Sequence, residues 1–575
     1  MRFARRIFLS FWFILCFALA ASAATYTVTK TADTNDGACD TADCSLREAI
    51  AAANATTDND VIMFAPMFSA APQTITLSGT DLQINNNGTL TVTGPGANRL
   101  TVSGNNQSRI FTNNVDATTT ISGMRLTGGN GASTVQSGRA GAVYNNDGFL
   151  TLESLVIEGN SAANGGGLNN AGGGSIMTIR NSVIANNTAT GAGGAMQNFS
   201  TSTLHLINTT VNNNTCNSTL TGGGGIQANG MLTMSNVTFS GNNAAGGDGG
   251  AIYYNGTGFA MNNVTVANNT ASGGGSGGLH KSTSTLNANV RNSIFANNTG
   301  SASPDVTGAI SSQGNNIIRT VGTSTGWVAS DQQNVDPLLG PLGYYGSDLP
   351  RRLTHALYDA SPAVNAGNNC VIDMTCATGN TPVALTTDER GAARVGSVDI
   401  GAYEVNNSFV AVLPNAFLQQ EYNFTLIPNL PSGNPFVRTS GTQPPGIVTT
   451  NGPNGASLNG TPTESGTFNF TMTYGVNLFS VNYSLTVVNN LSSASVGGRV
   501  TTSGGAAVPN AIVVLTDSMN NTRYARTNGF GYFRFDNVPT NQTYTATVVS
   551  KQYQFQPQTI SVTDNVTNLN FTAEP

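Results

Sequence analysis

Between Leu150 and Asn298 the chain repeats itself six times. LTLESLVIEGN from Leu150, MTIRNSVIANN from Met177, LHLINTTVNNN from Leu204, LTMSNVTFSGN from Leu232, FAMNNVTVANN from Phe259 and ANVRNSIFANN from Ala288 align without gaps. Ile157 recurs as Ile184, Val211, Phe239, Val266 and Phe295, at spacings of 27 to 29 residues. Leu152 recurs in step as Ile179, Leu206, Met234, Met261 and Val290. Between the blocks a glycine cluster closes on one apolar residue: Val143, Leu168, Met196, Ile226, Ile252 and Leu279. Apolar and polar residues alternate over short runs, which is the period of a strand. No unit is long enough to bury its own apolar face, so the units must stack. The repeat is too short for a four-stranded propeller blade and lacks a helical pattern. It fits one coil of a parallel β-helix with about three short strands. Glycines then supply the tight corners.

Asparagine keeps the same register. Asn181, Asn208, Asn236, Asn263 and Asn292 form one set, and Asn160, Asn187, Asn214, Asn242, Asn269 and Asn298 another. Stacking puts each set in a column, where amides bond to neighbours above and below. The structural role of such ladders outweighs a glycan-binding one, because corners carry backbone groups that need partners. Upstream, Ser45 and Glu48 make a capping box for a short helix with Leu46, Ala49, Ile50 and Ala53 on one face. A solenoid end exposes strand edges, and this helix suits a cap.

Composition narrows the class. Only 9% of residues are charged, and the formal net charge is −6. That excludes the basic stripe of a nucleic-acid binder. Arg2, Arg5 and Arg6 before an apolar run from Ile7 to Ala20, then Ala21-Ser22-Ala23, read as a secretory signal over residues 1–23. No later stretch approaches the length of a membrane span. Cys39 with Cys44 and Cys370 with Cys376 read as two small disulfide loops of an exported protein. Cys216 is left over, as a buried thiol or an unpaired loop residue.

The expected organisation is a cap over 24–80, coils over 81–313, a closing segment over 314–407, and two small β-sandwich modules over 408–490 and 494–575. Four resemblances accompany it. Cys44-Ser-Leu-Arg-Glu-Ala49 resembles the CSLREA domain of exported bacterial repeat proteins. Gly249-Gly-Ala-Ile252, Phe239 with Asn242, and Phe295 with Asn298 resemble the polymorphic outer-membrane-protein repeat. Asp336-Pro-Leu-Leu-Gly340, Leu353-Thr-His-Ala356 and Asp399-Ile-Gly-Ala402 resemble the choice-of-anchor Q domain, although Gly346-Ser-Asp-Leu-Pro350 replaces its usual Gly-Gly-Pro-Thr turn. The last two modules resemble an immunoglobulin-like domain and a carboxypeptidase regulatory-like (transthyretin-like) domain. Together they imply an all-β, right-handed parallel β-helix protein of the pectin-lyase-like kind, secreted or on the bacterial cell surface. They carry over no catalytic residue.

The same fold hosts polysaccharide lyases and hydrolases, and fold alone does not decide function. Glycoside hydrolysis usually needs two facing carboxyl groups. From Ala140 to Gly300 the charged residues are Asp147, Glu153, Glu158, Arg180, Asp248, Lys281 and Arg291. Glu153 and Arg180 are 27 residues apart in one register, so they are expected to stack as an exposed ion pair worth at most about 1 kcal/mol. Glu158, Asp147 and Asp248 remain as scattered candidates. His205, His280 and His355 form no pattern of metal ligands. Asp33, Asn35, Asp36 and Asp40 crowd one loop in the manner of calcium ligands, but a polar turn beside a disulfide is the preferred reading. No cofactor is expected. The expected role is a monomeric, non-enzymatic adhesion, matrix or carbohydrate-contacting protein, its partner an extracellular polysaccharide or cell-surface glycan. A divergent polysaccharide lyase or hydrolase is one alternative, and a purely structural spacer another. An exposed aromatic row would favour glycan binding, with Tyr144, Phe149, Tyr253 and Tyr254 as its candidates.

Overall fold

The structure is a computed structural model that describes residues 24–85, 88–219, 222–282, 287–346, 350–379, 383–453, 455–488, 493–517, 522–540, 542–550 and 552–574. It is an all-β parallel solenoid followed by β-sandwich sheets. Among the described residues, α-helix is confined to Leu46–Asn54, Met67–Ala70 and Cys370–Asp373. Each central coil has three sides. Val143–Asn146 lies in one face, Phe149–Glu153 and Val156–Glu158 in a long face, and Ser161–Asn164 in a third. Leu168–Ala171 then begins the next coil on top of Val143–Asn146. Stacking gives parallel sheets of 19, nine and five described strands.

Coil register pairs the same residues that the repeat aligns. Leu152, Ile179, Leu206, Met234, Met261 and Val290 are successive neighbours in the long face. So are Ile157, Ile184, Val211, Phe239, Val266 and Phe295. All are essentially buried in one continuous core, as Val143, Leu168, Met196, Ile226, Ile252 and Leu279 are from the adjacent face. The glycine cluster has a steric cause. A Cβ on Gly224 would collide with the carbonyl oxygen of Gly250, and one on Gly250 with that of Gly277. Coils approach too closely there for any side chain.

The two asparagine registers do different jobs. Asn181, Asn208, Asn236, Asn263 and Asn292 have φ of 52°, 48°, 53°, 53° and 49°, so they bend the long face through the left-handed region. Asparagine is among the L-residues that tolerate that region best. The second register lies one residue after another left-handed corner, at Gly159, Asn186, Asn213, Gly241, Asn268 and Asn297. Its side chains turn inward. Asn187 Oδ1 accepts both the N–H and the Nδ2–H of Asn160, and Asn214 Oδ1 accepts the same pair from Asn187. The pattern continues through Asn242 and Asn269 to Asn298. The last donors, from Asn298, reach the carboxylate of Asp305. Each inner amide also donates to a backbone carbonyl one coil back, as Asn214 does to Ile184. A second buried ladder, Asn113–Asn145–Asn170–Asn198, runs along the adjacent face with amide contacts of 2.8–2.9 Å.

Parallel stacking starts earlier than the repeat does. Thr25–Val28 pairs with Asp60–Phe64, which pairs with Thr89–Thr93, so the segment before residue 81 already contributes coils. Ser45 and Glu48 form a reciprocal capping box, and Leu46, Ala49, Ile50 and Ala53 pack into the solenoid core. Cys39 is bonded to Cys44 and Cys370 to Cys376, while Cys216 is a buried free thiol. The Glu153 and Arg180 side chains meet at 2.8 Å on paired strands.

Downstream, two sheets form a sandwich. One contains Phe436–Gly441, Gly466–Tyr474 and Phe479–Val488, the other Tyr422–Ile427, Ile447–Gly452 and Gly455–Gly460. Its core is continuous with Tyr344 and Tyr345 and with Ile294, Ala296 and Ile317 of the last coils. The final module has a separate core around Val496, Val513, Leu515, Phe533 and Phe571. Asn214→Ala is expected to destabilise the protein by about 2–4 kcal/mol in urea unfolding, because it strands the Asn187 and Asn242 ladder groups in the core. Exposed Asn217→Ala is the control and should stay within about 0.5 kcal/mol.

Candidate functional site

Which part of the solenoid surface is open decides where a ligand can sit. The downstream half of the long face is covered by the closing segment. Thr210 and Thr238 on adjacent coils both donate to the Glu389 carboxyl, at 2.8 and 2.5 Å. Ser240 Oγ meets His355 Nε2 at 3.0 Å, and the other ring nitrogen meets the Gly340 carbonyl at 2.8 Å. Asn263 Nδ2 donates to the Asp399 and Gly401 carbonyls, and Asn292 exchanges two hydrogen bonds with the Asn368 backbone. Arg352 donates to the Asn208 carbonyl, and Arg394 to Asn236 Oδ1. Behind these contacts lies a buried ionic network in which Arg390 pairs with Asp388 at 2.7 Å and Arg394 with Glu404 at 2.9 Å. Arg390 also lies 3.5 Å from the centre of the Tyr403 ring.

Glu389 and Asp399 are both buried in this seam. Burial pushes Glu389 up to about 8, against the opposing pull of its threonine donors and Arg352. Burial, then the nearby Glu404 charge, pushes Asp399 up to about 7. The folded protein therefore holds both protons more tightly than the unfolded chain does. Their contribution to stability is full below the unfolded carboxyl range, near pH 4, and is lost as pH rises through about 7 and 8. His355 has the opposite sign. Burial pushes it down to about 4, so its contribution is lost as pH falls below about 6.5.

The upstream half of the long face stays open, and a groove of about 420 Å³ opens there. Val156, Val183 and Ala185, a small apolar cluster, make its floor. Asn98, Asn186 and Asn213 stand exposed at its rim. Asn186 and Asn213 are the left-handed corner residues, so the same turn that aims the next asparagine inward presents these two outward. Arg125 and Glu158 form an ion pair in the groove. Pro350, Arg351 and Leu353 of the closing segment, with Thr425 and Pro428 of the sandwich, form the opposite wall. Arg351 lies 4.2 Å from the centre of the Phe424 ring. Asn212 is 4% exposed, and its Oδ1 has no hydrogen-bond partner among the described residues.

The carboxylates singled out from sequence do not converge. Among the described residues that line the groove, Glu158 is the one acid, and it is paired with Arg125. Asp248 accepts a hydrogen bond from the Gly274 backbone on another loop, and Asp147 sits in a left-handed corner after Val143–Asn146. Asp33 is held by Arg47 and Ser78, Asp36 lies 3.7 Å from Lys30, and Asp40 caps the Ala42 and Asp43 amides. Asn35 lines a second cavity, of about 480 Å³, beside the cap helix. Among the described residues, no three His, Cys, Asp or Glu side chains group as metal ligands. The aromatic row is not exposed. Tyr144 and Tyr254 are buried, Tyr253 is stacked on His280, and only Phe149 of the four faces solvent. Tyr144 instead lies under the fully buried Arg109 guanidinium.

Comparison with known proteins bears on the C-terminus. Residues 495–574 match the carboxypeptidase regulatory-like domain. No curated protein matches the chain. Among solved structures, the Bacillus anthracis TIE protein is similar at 15% identity over 27% of this chain and 34% of that one, with a TM-score of 0.15. The endo-fucoidan hydrolase MfFcnA4 of glycoside hydrolase family 107 is similar at 15% identity over 28% of each chain, TM-score 0.13. A second such hydrolase, MfFcnA9, gives 15% identity over 27% of this chain and 33% of that one, TM-score 0.12. This chain thus spans about a third or less of each, and likenesses at these scores carry no argument about activity.

The pH dependence of the closing segment is directly measurable. The melting temperature is expected to fall from about pH 6 to about pH 9, and Glu389→Gln to flatten that fall. A wild-type profile that stays level or rises over that range contradicts the assignment.

Proposed function

We propose that this is an exported, non-catalytic β-solenoid protein that contacts extracellular carbohydrate through the open groove on its long face. The observation that carries the proposal is the groove itself. Its apolar floor with a rim of amides is the lining that a sugar ring with hydroxyl groups requires, since most of a ligand site is apolar and a few polar groups orient the ligand. One ion-paired carboxylate does not supply the acid and base, or acid and nucleophile, of a glycosidase. The covered downstream face removes a long stretch of solenoid surface from competition for substrate. Two disulfides among the described residues suit an oxidising compartment outside the cytoplasm.

The test uses protein from Ala24 onward with a panel of plant and bacterial polysaccharides. Binding is read by retention and calorimetry, and cleavage by mass spectrometry of released oligosaccharides. The expected outcome is binding with no defined products. Defined products overturn the non-catalytic reading and direct mutagenesis to Glu158. Absence of binding across the panel leaves a structural spacer as the better account.

A further inference from the structure

The groove has two unmet chemical needs, and they point to one kind of ligand. The first is a charge. Arg125, Arg351 and Glu158 are its charged lining residues, leaving one net positive charge. Glu158 is taken by Arg125. Among the described residues the Arg351 guanidinium has neither a carboxylate partner nor a hydrogen-bond acceptor; it lies over the Phe424 ring, with Tyr422 and Tyr344 as titratable neighbours. The two guanidinium groups also feel each other: burial and then the Arg351 charge lower the pKa of Arg125. Like charges in a partly desolvated groove are unfavourable until an anion joins them, and a planar guanidinium is the fork that receives a carboxylate or sulfate.

The second need is a donor. Asn212 lines the same groove, is nearly fully buried, and leaves its Oδ1 unpaired. An unpaired buried acceptor costs about 1–3 kcal/mol unless something donates to it. A hydroxyl does so. A free phosphate or sulfate ion answers only the cation, and a neutral sugar answers only the amide.

We propose that the groove binds an anionic sugar unit, with Arg351 receiving its carboxylate or sulfate and the Asn212 amide turning its buried Oδ1 to accept from one of its hydroxyls. This deepens the carbohydrate-contacting reading and depends on it. The apolar floor of Val156, Val183 and Ala185 takes the ring face, and Asn186 and Asn213 close the rim. The uronate carboxylate and the sulfate ester share the chemistry Arg351 recognises.

Five probes separate the possibilities: hexagalacturonate, its methyl ester, sulfated maltohexaose, maltohexaose and polyglutamate, each titrated calorimetrically into the protein from Ala24 onward. An acidic probe is expected to bind, and its neutral counterpart to bind about tenfold or more weakly. Whichever acidic probe binds tighter identifies the source of the anion. Arg351→Met keeps length and contact with Phe424, and is expected to lower acidic affinity about tenfold or more with an unchanged melting temperature. Asn212→Ala removes an unpaired buried acceptor, so its melting temperature should hold or rise while affinity falls roughly threefold or more. A merely structural asparagine gives the reverse stability result. Equal binding of acidic and neutral probes overturns the anionic assignment and leaves carbohydrate contact standing. Undiminished binding by Arg351→Met also overturns it. Polyglutamate binding as tightly as the best acidic sugar replaces the sugar with an acidic peptide. Failure of every probe, and of the wider polysaccharide panel, overturns both readings together.

Discussion

The amide ladder at the solenoid corner ties each coil to the next from Asn160 to Asn298. A corner bends the chain through a left-handed residue, and the backbone N–H just after it is met by a side chain instead of a strand carbonyl. Asn160, Asn187, Asn214, Asn242, Asn269 and Asn298 satisfy those groups from the inside. The ladder has a direction. Each Oδ1 accepts from the coil before it, and each Nδ2 donates to the coil after it. Its final donors therefore need an acceptor that has no donor of its own, and the Asp305 carboxylate meets that condition. The arrangement recurs where Asn316 donates to Asp331. Burial raises Asp305, while donation from Asn298 and Thr320 opposes that shift. A buried acid at the end of a neutral amide column is thus a terminator, and its isolation from other acids is expected on that ground.

The closing segment solves a different problem on the same solenoid. Thr210, Thr238 and Ser240 point outward from a long strand face, where water would ordinarily satisfy them. Instead a carboxyl and an imidazole reach them from above. Replacing water with Glu389 brings a desolvation cost that apolar packing alone would not incur. What the polar seam adds is register, since Glu389 bridges two adjacent coils and is complementary to one pair of threonines. The apolar share of the interface, Ile294, Ala296 and Ile317 against Tyr344, Tyr345 and Tyr403, supplies the area.

Legibility in the sequence follows from periodicity. Ile157 and its five successors were readable as neighbours because each coil spends one residue on that position, and the stacked register repeats the alignment. The Asn113–Asn198 ladder was not readable, because it ends after four members: Ala228, Tyr254 and Lys281 occupy the same register in later coils. The Glu389 contacts were hidden because Thr210 and Glu389 are 179 residues apart and neither has a local pattern. The tyrosines misled for a related reason. Alternation places Tyr144 and Tyr253 on the outer side of a strand, but Arg109 and His280 cover their rings. Asn212 belongs to the run Asn212-Asn213-Asn214, and burial is what distinguishes it from exposed Asn213 beside it.

The groove and the closing segment are mechanically one unit. Pro350, Arg351 and Leu353 form the groove wall, and the chain then runs directly into Thr354–Leu357, whose His355 is held against Ser240. Arg352, between two wall residues, is anchored to the Asn208 backbone. Arg351 therefore has little freedom to leave the groove without the neighbouring anchors giving way. Its other support, the Phe424 ring, belongs to the sandwich, whose core is continuous with the closing segment. A side chain fixed from both sides loses little conformational freedom when an anion arrives, which is the condition under which one guanidinium gives selectivity. The sandwich thus has a structural part in the proposed site: through Phe424 it holds the Arg351 cation at the edge of the open solenoid face.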